Sequence, residues 1–194
     1  MYERLALIYA KQGNHAKAVE MYEKASQLEP KNMQILLLLA ESQSKSGKIN
    51  GAIMTYEQAV AMNPQASKEY KTLGDLYKKD NKIESAINNY KKYLEKNADS
   101  DLAKEVGEYA FKAKKYDEAI KYLSMVSGKD ANDPALLKKF GEACYQVKDY
   151  QKANRVFKQL SQSTPSDADV MLSLYDIAGK LGSKDEALSY LRKY

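Results

Sequence analysis

The chain has no tryptophan and only three phenylalanines in 194 residues, so its 16 tyrosines carry nearly all of the aromatic bulk. Four prolines and nine glycines are too few for a loop-rich β protein or a disordered tail, both of which draw heavily on turn-forming residues. A single cysteine, Cys144, cannot close an internal disulfide and excludes a cysteine-cluster metal site. The longest apolar run, ILLLLA at 35–40, falls far short of the ~18 residues that a membrane span requires. The opening MYERLALIYAKQG passes directly into helical periodicity, without the basic, apolar and cleavage regions of a secretory leader. This segment therefore names no compartment, and the cytoplasm stands as the default. Arginine is also scarce: Arg4, Arg155 and Arg192 stand beside 28 lysines, and the 26 acids bring the net charge to +5. The result is a mixed, mildly basic surface rather than a concentrated basic stripe.

What is present is repetition. AKAVEMYEKASQLEP at 16–30 returns as NGAIMTYEQAVAMNP at 50–64, and the alanine that anchors both recurs as Ala18, Ala52, Ala86, Ala119, Ala153 and Ala187. The spacings are 34, 34, 33, 34 and 34. Twelve residues before each anchor stand Ala6, Ala40, Gly74, Gly107, Gly141 and Tyr175, each preceded by an apolar residue from Leu5 to Leu174. Four residues after each anchor stand Tyr22, Tyr56, Tyr90, Leu123, Phe157 and Leu191. Six units, at about 1–30, 31–64, 65–98, 99–132, 133–166 and 167–194, account for the whole chain as one array.

Each unit reads as two helices. In the third, Tyr70, Leu73, Leu76 and Tyr77 follow a spacing of three and four, KKDNK interrupts it, and Ile83, Ala86, Ile87, Tyr90, Tyr93 and Leu94 resume it. KQGN, KSGK and KLGS place glycine at the equivalent break, where a helix end commonly takes a left-handed residue. The small slot on the first helix is expected to face the anchor alanine on the second. The two backbones then approach closely, and the large residue fills the space beside the contact. The connection between the third and fourth units is one residue short, and its shortening is placed in KNADSD.

This pattern resembles the tetratricopeptide repeat, a 34-residue helix-turn-helix with Leu-Gly and Tyr in its first helix, Ala and an aromatic in its second, and a closing Pro. Leu73, Gly74, Tyr77, Ala86 and Tyr90 carry it most fully, although Ala98 stands where Pro is usual. Gln43 replaces the usual Tyr in the second unit, and Tyr175 occupies the small slot of the sixth. The resemblance implies an all-α fold, an α–α superhelix of six helix-turn-helix repeats, and a protein-interaction scaffold. One helix pair cannot bury both of its faces, so stacked copies build a continuous core. Met1 already lies inside the first helix and Tyr194 part-way along the last, which reads as a segment of a longer protein. Leu188 and Leu191, with no following unit to cover them, make end-to-end self-association an expectation.

Catalytic chemistry is not legible. His15 shares its slot with Ile49, Ile83, Tyr116 and Tyr150, so it reads as a packing residue rather than a base. Cys144 shares its slot with Tyr9, Tyr77, Ala110 and Ala178 and reads as a core thiol. There is no phosphate-binding Gly-Lys-[Ser/Thr] loop, His-Glu-x-x-His or Gly-x-Ser-x-Gly. The expectation is no enzyme, no cofactor and no metal. A tyrosine stripe could stack single-stranded bases, yet most of the tyrosines occupy slots the repeat uses for packing.

In the family that the pattern resembles, the working surface is the concave face lined by the first helices. Projection onto that face selects Lys71 and Asp75, Lys104, Glu108 and Phe111, Lys138, Glu142 and Tyr145, then Asp169, Leu172 and Asp176. Three lysines each precede an acid by four residues at the same level of successive units. Such pairs stabilise a helix by only ~0.2–0.5 kcal/mol, so they serve equally as a solvated face or as a charge ladder. Bordered by Phe111 and Tyr145, the ladder suits a peptide or protein segment carrying both charge and an apolar anchor. A clamp for an acidic C-terminal tail is not expected, because Asp75 and Glu105 stand where asparagines would be needed and Ala135 where a lysine would. Two alternatives remain. One is an RNA-binding helical repeat, disfavoured by the 34-residue period and by lysine at the base-reading slots; the other is a structural or oligomerising spacer arm.

Overall fold

The computed structural model describes residues 1–192. Among them are twelve α-helices in six sequential pairs: α1 (Tyr2–Lys11) with α2 (His15–Leu28), α3 (Met33–Lys45) with α4 (Ile49–Met62), and α5 (Ser67–Lys79) with α6 (Ile83–Leu94). The remaining pairs are α7 (Ser100–Lys112) with α8 (Tyr116–Leu123), α9 (Pro134–Gln146) with α10 (Tyr150–Ser163), and α11 (Ala168–Lys180) with α12 (Lys184–Leu191). They fall into two compact units, Met1–Asn97 and Ala98–Tyr194, with three pairs in each. Within each unit the second helix of a pair also packs on the first helix of the next. Among the described residues, no helix is long and apolar enough to cross a membrane.

The sequence sets the helix boundaries through polar side chains. Asn32, Asp99, Asp133 and Asp167 accept hydrogen bonds from the first-turn amides of α3, α7, α9 and α11, donors that the helix itself leaves unpaired. Pro134 occupies the first turn of α9, where its missing amide costs nothing. Each break inside a pair holds one left-handed residue, at Gly13, Gly47, Asn81, Lys114, Lys148 and Gly182. The break thus keeps its geometry in the third, fourth and fifth pairs, although the sequence there has lost its glycine.

Close approach within a pair follows the expected slots. The anchors Ala18, Ala52, Ala86, Ala119, Ala153 and Ala187 are all buried. A methyl on Gly74 would stand 2.3 Å from the Tyr90 ring, one on Gly107 2.6 Å from Leu123, and one on Gly141 2.7 Å from the Phe157 ring. The large residue after the anchor therefore fills the space that the small slot leaves open. The sixth pair departs from this pattern: Tyr175 and Leu191 are both exposed, where their counterparts in the other pairs are buried. Leu188, expected to lie uncovered, is exposed as well.

Gln43, the departure in the second pair, is buried, and its Oε1 accepts a 2.9 Å hydrogen bond from Thr55 Oγ1. A buried amide without such a partner would be costly. In the fourth pair α8 is only 8 residues long, and a 3-10 turn, Gly128–Asn132, follows it. The hydroxyl of Ser100 ties this region to the start of α7, accepting from the Ser127 amide at 3.0 Å and donating to the Ser127 carbonyl. The shortening expected in KNADSD lies in the helix instead: α6 has 12 residues against 14 in α2 and α4, while the connection after it, 95–99, is longer than those after α2 and α4 (29–32 and 63–66).

Candidate functional site

In the second unit the first helices of the three pairs line a cavity of about 380 Å³. Phe111 comes from α7, Glu142, Tyr145 and Gln146 from α9, and Leu172, Ser173 and Asp176 from α11. Tyr116 at the start of α8 and Phe157 of α10 complete its walls. The helical spacing produces this gathering. Glu142 and Tyr145 lie three residues apart, as do Ser173 and Asp176, so each pair shares one face of its helix.

The rings are held by one another and by the core. Phe111 packs edge-on against Tyr116 with centroids 5.9 Å apart, and Tyr145 packs edge-on against Tyr150 at 5.5 Å. Both geometries suit the aromatic quadrupole. Phe157 is fully inside, whereas Phe111 and Tyr145 are half-buried against neighbouring core clusters. The Tyr145 hydroxyl donates to Asp176 Oδ2, a short bond that fixes one carboxylate at the cavity wall. That bond is the main reason why the phenol holds its proton more tightly than usual, with burial adding to it.

The candidate residues are therefore placed as follows. Phe111, Glu142 and Tyr145 are brought together in the cavity, with Leu172 and Asp176 of the same projected face. Lys104 does not pair with Glu108 along its own helix; its ammonium contacts Asp130 of the 3-10 turn at 3.4 Å. This hydrogen bond raises the Lys104 pKa. Glu108 is bound instead by Lys139 of α9. Lys138 contacts Asp169 of α11 at 3.3 Å, not Glu142. Contacts across repeats, Glu108 with Lys139 and Lys138 with Asp169, and one within the fourth repeat, Lys104 with Asp130, take the place of the expected ladder on α7 and α9. Lys71 and Asp75 belong to the first unit: Lys71 lies 5.3 Å from the centre of the Tyr93 ring, and Asp75 accepts a 2.8 Å bond from the Tyr90 hydroxyl.

The residues that sequence reasoning missed are Gln146 and Ser173, then Tyr116 and Phe157, whose slots the repeat uses for packing, and the partners Lys139 and Asp130. An offset of 31 residues recurs in Glu108 with Lys139, Lys138 with Asp169, and Tyr145 with Asp176. It marks first helices in adjacent repeats and was available in the sequence. Cys144 is buried as expected, and desolvation pushes its thiol up to about 11, which leaves it protonated and inert. Among the described residues no group of three His, Cys, Asp or Glu could hold a metal ion.

Comparison with known proteins agrees with this architecture. A family model described as tetratricopeptide repeat matches residues 9–76 and 110–172, and a second with the same description matches residues 71–134. Among solved structures, a tetratricopeptide repeat protein from Parabacteroides merdae is similar over 99% of this chain and 77% of its own, at 18% identity and a TM-score of 0.56. YrrB, described as a TPR protein with an unusual peptide-binding site, is similar over 90% of this chain and 91% of its own, at 20% identity and a TM-score of 0.51. A chain of the Naa15/Naa10 complex bound to HypK-THB is similar over 98% of this chain and 30% of its own, at 14% identity and a TM-score of 0.60. At these identities the likeness is one of fold. No curated protein sequence matches the chain.

Proposed function

The chain belongs to the tetratricopeptide repeat family, and from that premise we propose that its second unit binds a peptide or protein segment across the face built by α7, α9 and α11. Domains of this family generally mediate protein–protein interactions and are typically non-catalytic. The observation that carries the proposal is the cavity itself. It combines half-buried aromatic side chains with a few polar groups on rigid helices, the usual make-up of a site that anchors one side chain of a ligand.

Phe111 and Tyr145 supply the apolar anchor, and Glu142 orients the ligand. Lys104, Glu108 and Lys138 flank the cavity on the same unit. Already paired with Asp130, Lys139 and Asp169, they act through register and association rate more than through affinity. Lys71 and Asp75 form the corresponding patch of the first unit. RNA is the weaker reading, because the cavity presents Glu142 and Asp176 where a phosphate backbone would need cations.

A display selection of random peptides against the wild-type chain tests the proposal. Replacing Phe111 and Tyr145 together by Ala should weaken the selected peptides by about 2 kcal/mol, roughly 30-fold, as loss of central aromatic contacts does. Unchanged circular dichroism would show that the fold survives. Selected peptides that bind both proteins equally would mean that another surface is at work.

A further inference from the structure

Resting on the peptide-binding reading above, we propose that the cavity receives a basic side chain of the bound segment, an arginine or a lysine. The lining contains four aromatic residues, Phe111, Tyr116, Tyr145 and Phe157, and two charged ones, Glu142 and Asp176, both acidic. A cation gains from both sets, because aromatic faces attract it through their quadrupole and carboxylates attract it directly. An acidic side chain would meet two like charges. A purely apolar one would take both carboxylates from water, leaving Glu142 without a partner and Asp176 with the Tyr145 hydroxyl alone.

The chain offers those carboxylates little cation of its own. Three lysines of α7 and α9 are engaged elsewhere: Lys104 with Asp130, Lys138 with Asp169 and Lys139 with Glu108. Lys180, one turn beyond Asp176 on α11, is exposed and, among the described residues, makes no salt bridge with it. Among the described residues Glu142 makes no salt bridge. Asp176 accepts one hydrogen bond from Tyr145, and a carboxylate has capacity for about four. The Tyr145 bond fixes Asp176 as an acceptor at the wall, so the site meets a ligand already arranged. A volume of about 380 Å³ accommodates a guanidinium or an ammonium together with its methylene stem, and the rings cover the stem.

Four pools of short peptides, degenerate except for one central residue fixed as Arg, Lys, norleucine or Glu, test this inference with wild-type, Glu142→Gln and Phe111→Ala chains. The arginine or the lysine pool should bind the wild type about tenfold more tightly than the norleucine and glutamate pools, the size of a 1.4 kcal/mol preference. Glu142→Gln should shrink that gap to about threefold or less, as should roughly 0.5 M potassium chloride, which screens exposed charge. A norleucine or glutamate pool that binds as tightly as the basic ones, and that is still weakened by Phe111→Ala, would overturn the basic side chain while leaving the peptide site standing. Absence of binding by every pool, or binding that Phe111→Ala leaves untouched, would overturn the peptide site as well.

Discussion

Replacing Gly74 by Ala puts the packing between paired helices to a quantitative test. The added methyl would lie 2.3 Å from Tyr90 Cε1 and 2.5 Å from Cδ1, too close for either atom to stay where it is. The Tyr90 ring is 1% exposed, and its hydroxyl is bonded to Asp75 at 2.8 Å, so it has no free direction in which to swing. Overpacking of this kind costs about 1–3 kcal/mol. Against it stands the gain from Ala over Gly inside a helix, about 1 kcal/mol. The pairs Ala6 with Tyr22 and Ala40 with Tyr56 are both buried, so an Ala–Tyr combination can be housed where the helices are set for it. The two effects leave a net loss of about 0–2 kcal/mol, and that housing favours the lower half of it, about 1 kcal/mol or less. Gly179→Ala is the control, because a methyl there meets nothing within 4 Å and takes the propensity gain alone. The difference between the two variants isolates the packing cost. Urea denaturation followed by circular dichroism measures both. A Gly74→Ala chain as stable as Gly179→Ala would refute the close approach of α5 and α6 at this slot.

Lys114 and Lys148 hold left-handed backbone with φ of 57° and 64°, so Lys148→Gly should stabilise the chain. Relief of about 1–2 kcal/mol of strain outweighs the 0.5–1 kcal/mol that glycine adds to the entropy of unfolding, and thermal melts check the sign. Thr55→Val removes the donor to buried Gln43 and should cost about 1–3 kcal/mol by urea titration. Cys144 should resist iodoacetamide in the native chain and react once it is unfolded, as mass spectrometry would read. Burial raises the Cys144 thiol to about 11 and the Tyr56 and Tyr77 phenols to about 12. The folded state thus keeps protons that the unfolded chain releases from its ordinary values of 9.0 and 10.0 upward. Stability is then full below pH 9 and falls between pH 9 and 12, and melts across that range should show the decline.

The fold was legible because one packing geometry is imposed in five of the six pairs, and the anchor alanine is buried in all six. In those five pairs the small slot cannot grow without moving two backbones, so it surfaces in the sequence at a nearly constant interval. Phe111, Glu142 and Tyr145 were legible for a related reason, since helical spacing assigns them to one face. Charge pairing was less so. Lys104 has Glu108 within reach along its own helix, and its choice of Asp130 depends on a 3-10 turn outside the repeat pattern. Tyr116 and Phe157 illustrate a different limit: a slot that serves packing in every repeat can also present an edge to a cavity, and periodicity records only the first use. The left-handed lysines show the reverse, a geometry retained after its glycine signal was lost.

Amide hydrogen exchange of the chain with and without a selected peptide tests most directly whether the face of α7, α9 and α11 is the binding surface. The account predicts slowed exchange in α9 and α11 and in the last turns of α7 around Phe111. Helices α10 and α12 should stay unchanged apart from any general stabilisation. Slowing confined to those second helices, or no slowing at all under saturating peptide, would contradict it.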